Sequence, residues 1–416
     1  AGWGQSGIVG RASLKFTNFS MQNLFGRNGY KRAGFLPQGD AQTLQLTAQT
    51  NARYYQSYSL QFIDPWFGGK RPNQFSVSLF YSRQSDVSSR YYTDNTNLYS
   101  SLYGYGSSQY YNNYSRYLDP DKYIQLFGVN IGFGKRLRWP DDYFTFMATL
   151  GYTRYNLKNW NYFLISNGNS NNINLALTLA RSSTDSPFFP RSVSDFSFTL
   201  TLTPPYSLFD GKNYKGLADN PNSADYQREA QEKYRWIEYH KWSLKFRTYT
   251  ALSSSFKHSP VLMPRTDFGI LGAYNKYRKS PFESYYMGGD GMIGYSSSYA
   301  NDVIGLRGYE NGSIAGNFAG TRNNAYAYSR LTLELSYPLM LETATSIYAL
   351  AFAEAGNAWT DVNRMNPFKL KTSAGVGVLL PMIGLMGIDW AYGFKKTEFG
   401  QKIGGSQFHF VLGQEF

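Results

Sequence analysis

Phe127-Gly128-Val129-Asn130-Ile131-Gly132-Phe133-Gly134 is the stretch on which the reading of this chain turns. Large apolar side chains occupy the odd positions, and glycine or asparagine the even ones. Successive side chains of a strand point to opposite faces, so the segment has one apolar face and one small or polar face. The same period of two recurs nearly from end to end. Ile8, Ala12, Leu14 and Phe16 alternate with Arg11, Ser13, Lys15 and Thr17. Phe75, Val77, Leu79 and Tyr81 interleave with serines, and Phe196, Phe198, Leu200 and Leu202 with Ser197, Thr199 and Thr201. Trp242, Leu244 and Phe246 share a parity against Lys241, Ser243, Lys245 and Arg247. Near the end, Phe408, Phe410 and Leu412 repeat the pattern.

Two architectures produce it. A soluble β-sandwich buries the apolar face and wets the other. A transmembrane barrel turns the apolar face to lipid and the small or polar face to its lumen. Three features favour the barrel. Segments are about ten residues long, enough to cross the hydrocarbon when tilted. The second face is rich in Gly, Ser, Thr and Asn, which suits a wet lumen. Connections alternate in length: 68–72, 138–143 and 381–384 are brief, whereas 84–119 and 207–235 are long and polar. The expectation is an all-β, transmembrane antiparallel β-barrel of about sixteen strands, an even number as such barrels have. Its first strand is truncated to the residues around Trp3, with Gln5-Ser6-Gly7 turning into the second.

Composition agrees. Of 416 residues only 17% are charged, and 37 Tyr, 30 Phe and 8 Trp bring the aromatic share to 18%. Disordered chains are poor in aromatics. No run approaches the roughly 18 apolar residues of a membrane-spanning helix. There is no cysteine, which removes disulfides, thiolate metal sites and cysteine nucleophiles. The first residues carry no charged and apolar leader, so a signal peptide was removed or the chain is a piece of a longer one. A net charge of +13 fits nucleic acid, acidic lipid or a basic cavity. The aromatics lie on the apolar parity and at strand ends, where a membrane belt explains them better than nucleic acid does. Arg11, Lys15, Lys241, Lys245 and Arg247 on the inward parity read as a cationic lumen and rim.

Signals for an enzyme are weak. Gly289-Asp290-Gly291-Met292-Ile293-Gly294 fits G-x-G-x-x-G, but it stands between strands with no helix after it, and reads as a loop. His240, His258 and His409 are dispersed in sequence, and no G-x-S-x-G occurs. The expectation is no catalytic residue, no metal and no cofactor.

One constellation carries a function. Leu306-Arg307-Gly308-Tyr309 lies in the connection between the eleventh and twelfth strands. Tyr286-Met287-Gly288-Gly289-Asp290 precedes it; Ala353-Glu354-Ala355-Gly356-Asn357-Ala358-Trp359 and Thr372-Ser373-Ala374-Gly375-Val376-Gly377 follow. Asn23-Leu24-Phe25-Gly26 and Phe62-Ile63-Asp64-Pro65-Trp66-Phe67 mark early turns, and Phe408 to Phe416 the closing strand. Together these resemble the BamA family, insertases of outer-membrane β-barrels, most specifically after Tyr285. The chain departs from that family in having Leu and Tyr where Val and Phe are common in the loop motif. It also has an insertion at 295–304.

The resemblance implies a barrel domain of bacterial surface antigen type over residues 1–416, with periplasmic POTRA domains upstream. It implies a sixth loop folded into the lumen and a lateral gate between first and last strands, involving Trp3, Phe408, Phe410, Leu412, Gly413 and Phe416. It implies a bacterial outer-membrane location, unfolded outer-membrane proteins as substrates, accessory lipoproteins of the assembly machinery and outer-membrane lipid as partners, and no nucleic acid. A closing strand with few paired residues would thin the adjacent bilayer.

An arginine inside a barrel needs an acidic partner. With Leu331, Leu333 and Leu335 outward, Glu334 faces the lumen, and Glu354 lies on the next strand. The family's loop arginine contacts acidic residues at these two places; a solvated arginine in an outside loop is the alternative. Glu354 shares parity with Leu350 and Phe352, so either the lumen is locally apolar or a bulge shifts the register. Gly413 serves either a kink or packing. Related translocation and two-partner secretion barrels share the fold and motif, and a passive channel shares the alternation.

Overall fold

The structure is a computed structural model that describes residues 2–4, 7–25, 37–50, 55–69, 73–87, 118–160, 163–183, 190–220, 222–255, 259–291, 301–314, 325–341, 346–380, 386–398 and 400–412. Its strands, in chain order, begin with β1 (Gly2–Gly4), β2 (Gly7–Phe19), β3 (Gln42–Thr50), β4 (Tyr55–Asp64) and β5 (Asn73–Val87). Then come β6 (Leu118–Arg136), β7 (Phe144–Lys158), β8 (Gly168–Ser182), β9 (Ser192–Leu202), β10 (His240–Ala251) and β11 (Val261–Gly272). Two short strands, β12 (Ser284–Met287) and β13 (Asn301–Ile304), interrupt the next connection. The chain continues with β14 (Ala327–Leu341), β15 (Ser346–Trp359), β16 (Lys371–Leu380) and β17 (Met386–Gly393). A two-residue pair, β18 (Thr397–Glu398) and β19 (Gln401–Lys402), precedes the last strand, β20 (Ser406–Leu412).

All but β12, β13, β18 and β19 join one 16-stranded antiparallel sheet in sequence order. Among the described residues no ladder joins β1 to β20, so the sheet is not closed. β1 makes three residue pairs with β2, Gly2 with Val9, Trp3 with Ile8 and Gly4 with Gly7. Several strands exceed the length read from the sequence: β5, β7 and β8 have 15 residues and β6 has 19. The excess is polar, as in Asp119, Asp121 and Lys122 of β6, and projects beyond what a crossing needs.

The alternation holds in space. Phe127, Ile131, Phe133 and Leu150 are exposed on the outer face, as are Leu331, Leu333 and Leu335. On the inner face of β2–β9 small polar groups bond across strands. Ser13 meets Thr47 at 3.2 Å, Asn130 donates to Ser78 at 3.3 Å, and Thr178 meets Thr199 at 3.0 Å.

On the other inner wall two of the cations expected to line a cationic lumen, Lys241 and Arg247, are paired with carboxylates, which corrects the expectation for those two. Lys241 pairs with Glu283 at 2.9 Å and Asp302 at 2.7 Å, and Arg247 with Asp195 at 2.9 Å. Arg265 and Arg330 share Asp267 at 2.8 and 2.6 Å.

The buried apolar cluster is made chiefly by loops turned inward. It joins Ile124, Tyr155 and Leu157 of β6 and β7 to Trp160, Ala230, Phe282, Met287, Leu306, Tyr309 and Ile403. These loops belong to one rim, where the long connections gather. The 203–239 connection carries a short helix, Tyr226–Tyr234, and is tied to the start of the 273–326 connection by Arg278. That guanidinium, 3% exposed, donates to Tyr214 at 3.0 Å, to Glu238 at 3.3 Å and to the Trp236 carbonyl. Glu238 also accepts from the Ser207 backbone and hydroxyl at 2.8 and 2.6 Å.

Candidate functional site: a loop tip docked on the last strands

The connection between the eleventh and twelfth strands of the main sheet, β11 and β14, folds back into the lumen. β12 and β13 pair in parallel, Ser284 with Asn301 through Met287 with Ile304, so the inserted 295–304 segment contributes a strand. This ladder brings the chain down to Leu306, which is fully buried, and aims Arg307 at the wall.

Arg307 reaches three strands at once. Its Nε and Nη2 donate to Glu354 Oε1 at 3.0 and 2.8 Å, and its backbone N–H donates to Glu354 Oε2 at 2.8 Å. Its Nη1 donates to Asp389 at 2.8 Å, and Nη2 also reaches Glu334 at 3.3 Å. The guanidinium lies 3.4 Å from the Phe352 ring centroid, so the ring's negative face adds to the carboxylates. Burial works against the arginine's charge, yet Glu354, Glu334 and Asp389 hold it above its ordinary pKa. Removing a buried member of such a site is costly, because it leaves a buried charge without its partner.

The question of Glu354's parity is resolved in favour of an apolar lumen. β14 and β15 keep an unbroken register from Ala327–Trp359 to Pro338–Tyr348, with no bulge near Glu354. Tyr348, Leu350, Phe352 and Glu354 all point inward and are buried. Phe352 is inward because it is the platform under the guanidinium.

The next two residues fasten the loop to the end of the sheet. Gly308 has φ +85°, and an added Cβ would stand 2.6 Å from the Gly393 backbone nitrogen. Both its conformation and its closeness to β17 therefore require glycine. Its N–H donates to His409 Nε2 on β20 at 2.8 Å, and its carbonyl accepts from Gly405 N–H at 3.1 Å. Tyr309 is fully buried against Gly404 and donates its hydroxyl to the Thr372 carbonyl at 2.7 Å. Glu310 N–H then donates to Ile403 at 2.8 Å.

The structure thus brings together Leu306, Arg307, Gly308, Tyr309, Glu334 and Glu354. Sequence reading missed Asp389 and His409 as partners. Asp389 stands between Ile388 and Trp390, which are exposed on the outer face, so its inward direction could have been read from that alternation. Of the residues assigned to the seam, Phe408 and Phe410 lie apart from this cluster. Phe408 and Phe410 point outward and are 71% and 56% exposed, and Leu412 stands opposite Met386. Gly413 and Phe416 lie outside the described residues, as do Gly294 and His258. No group of three metal-type ligands occurs among the described residues.

A 16-stranded antiparallel barrel sheet with a loop docked by a buried arginine on its final strands defines a class of membrane β-barrel in which one inward loop is part of the wall's own bonding. The chain matches the Omp85 superfamily domain over residues 38–416 and belongs to that superfamily. Among solved structures it is similar to BamA from Haemophilus ducreyi lacking POTRA domains 1–3, with a TM-score of 0.59 and 16% identity over 98% of this chain and 68% of that one. It is also similar to CdiB from Escherichia coli, with a TM-score of 0.50 and 11% identity over 98% of this chain and 60% of that one. At these identities the likeness is one of fold. No curated protein matches the sequence.

Proposed function

We propose that this chain is the barrel of a bacterial outer-membrane insertase, the central subunit of a β-barrel assembly machinery, which folds client barrels at a seam between β1 and β20. The observation that carries the reading is the strap from Arg307 to Gly308. It anchors the inward loop to β15, β17 and β20, at the end of the sheet that has no partner strand among the described residues. In lipid each unpaired backbone group costs several kcal/mol, so barrels ordinarily close completely. A weak seam offers an edge on which an incoming strand can pair. A client's own folding supplies the free energy, and the reading requires neither nucleotide nor catalytic residue. Its partners are unfolded outer-membrane proteins, accessory lipoproteins and the surrounding lipid.

A second reading, a barrel that passes a polypeptide through its lumen, is favoured by one observation. Hydroxyl and amide groups bond across the inner face of β2–β9, at Ser13–Thr47, Asn130–Ser78 and Thr178–Thr199, a polar lining that suits an extended chain in transit.

Depletion of the full-length protein in its host separates the two, with heat-modifiable folded barrels quantified in the outer membrane. The insertase reading expects many unrelated barrels to fall together while unfolded precursors accumulate. Loss of a single exported client overturns it.

A further inference from the structure

We infer that His409 is the positioning residue through which docking of the 301–314 loop segment is transmitted to the closing strand. The inference rests on the reading of β20 as a seam strand and adds its regulation.

Two consecutive loop residues grip two residues that face each other across the last ladder. Asp389 and His409 are directly opposed in the β17–β20 register. Arg307 takes Asp389 through its guanidinium at 2.8 Å, and Gly308 takes His409 through its backbone N–H at 2.8 Å. The remaining loop contacts on this side, from Gly308 to Gly405 and from Glu310 to Ile403, end before β20 begins. Among the described residues the imidazole of His409 is the side chain of β20 that bonds the loop. It is 5% exposed, whereas its neighbours Phe408 and Phe410 face outward.

The bond sets a chemical condition. An imidazole nitrogen that accepts from a backbone N–H must carry a lone pair, so His409 is neutral with its proton on Nδ1. A protonated imidazole would present a second N–H to the Gly308 donor, and the bond would be lost. The charged groups facing the ring are Asp290 and Arg307 from the loop, Glu354 from β15 and Asp389 from β17. Loop docking and strand anchoring therefore share one titratable acceptor.

The test is amide hydrogen exchange of 406–412 in the full chain in lipid nanodiscs, expressed as protection factors so that the intrinsic pH dependence is removed. Wild type is expected to lose up to about tenfold protection as pH falls from about 8 to about 4, the factor one hydrogen bond is worth. His409→Gln retains an acceptor that does not titrate, and is expected to hold the high-pH protection at both values. His409→Phe keeps a ring without an acceptor, and is expected to be low at both. Arg307→Ala should lower protection in the wild-type background and add little to His409→Phe. A His409→Gln variant with the wild-type pH response overturns the inference, as does full protection in His409→Phe or additive effects with Arg307→Ala. If the Phe variant does not fold, the Gln variant alone decides. Exchange that behaves as expected while client folding is indifferent to the seam would leave this inference standing and remove the insertase reading.

Discussion

Replacing Arg307 by alanine is the most consequential single change. It deletes the side-chain bonds to Glu354, Asp389 and Glu334 at 2.8–3.3 Å and the contact over Phe352 at 3.4 Å. Three carboxylates are then left facing one another, Glu354 and Asp389 buried and Glu334 part-exposed. Breaking a buried ion pair by removing one partner costs ~3–5 kcal/mol. Proton uptake by the orphaned carboxyls keeps the loss within that range, because neutralisation is cheaper than an uncompensated charge. The docked-to-undocked ratio of the loop should therefore fall by about two to three and a half orders of magnitude. The chain has no cysteine, so a single reporter can be introduced cleanly. Ser313→Cys is suitable, since Ser313 is buried beside the Ile403 carbonyl when the loop is docked. Thiol labelling of Ser313→Cys should accelerate strongly in Arg307→Ala. Arg307→Lys should lie between, because an ammonium lacks the planar fork that bridges three carboxylates. Labelling in Arg307→Ala within about twofold of the parent would show that Arg307 does not hold the loop, since it lies far below the factor an ion pair is worth.

Other changes should follow the geometry, read by the same labelling. Glu354→Gln should cost most among the carboxylates, ~3 kcal/mol or more, and Asp389→Asn somewhat less. Glu334→Gln, the partner at 3.3 Å with a side chain 20% exposed, should cost ~1 kcal/mol or less. Gly308→Ala should undock the loop, because both its φ and the Gly393 backbone oppose a Cβ; unchanged labelling would contradict the close approach. The 203–239 connection should loosen in acid. Burial raises the Asp210 pKa, but the Tyr214 hydroxyl, the Lys212 N–H and the charges of Arg278 and Lys212 outweigh it, and the net shift is downward. A carboxyl lowered on folding stabilises the fold above its unfolded value and loses that contribution as pH falls through its folded one. Hydrogen exchange of 207–220 should accordingly rise on acidification in wild type, and respond less in Asp210→Asn.

Much of the fold was legible because a membrane barrel writes its two faces into a period of two. Phe127 to Gly134 could be assigned to an outer and an inner face without coordinates, and so could Glu334, from Leu331, Leu333 and Leu335. The loop motif was legible through its resemblance to a family. Glu354 was harder, because its strand puts Leu350 and Phe352 on the lumen side. An apolar inward residue breaks the simple rule when it serves as a platform for a cation. Asp389 and His409 were missed for a different reason. Each becomes a partner only when the 273–326 connection returns across the lumen to the last ladder, a contact of long sequence separation that local alternation does not encode. The compensated Lys241 of β10 was misread likewise, since Glu283 and Asp302 arrive from that same connection.

In the proposed function the edge between β1 and β20 is where clients fold. Its most direct measurement is client folding by the full-length protein in liposomes, with the first and last strands joined by an engineered, reducible cross-link. An unfolded barrel client should fold slowly while the strands are joined and regain the uncross-linked rate on reduction. Equal folding rates in the joined and reduced states would contradict it.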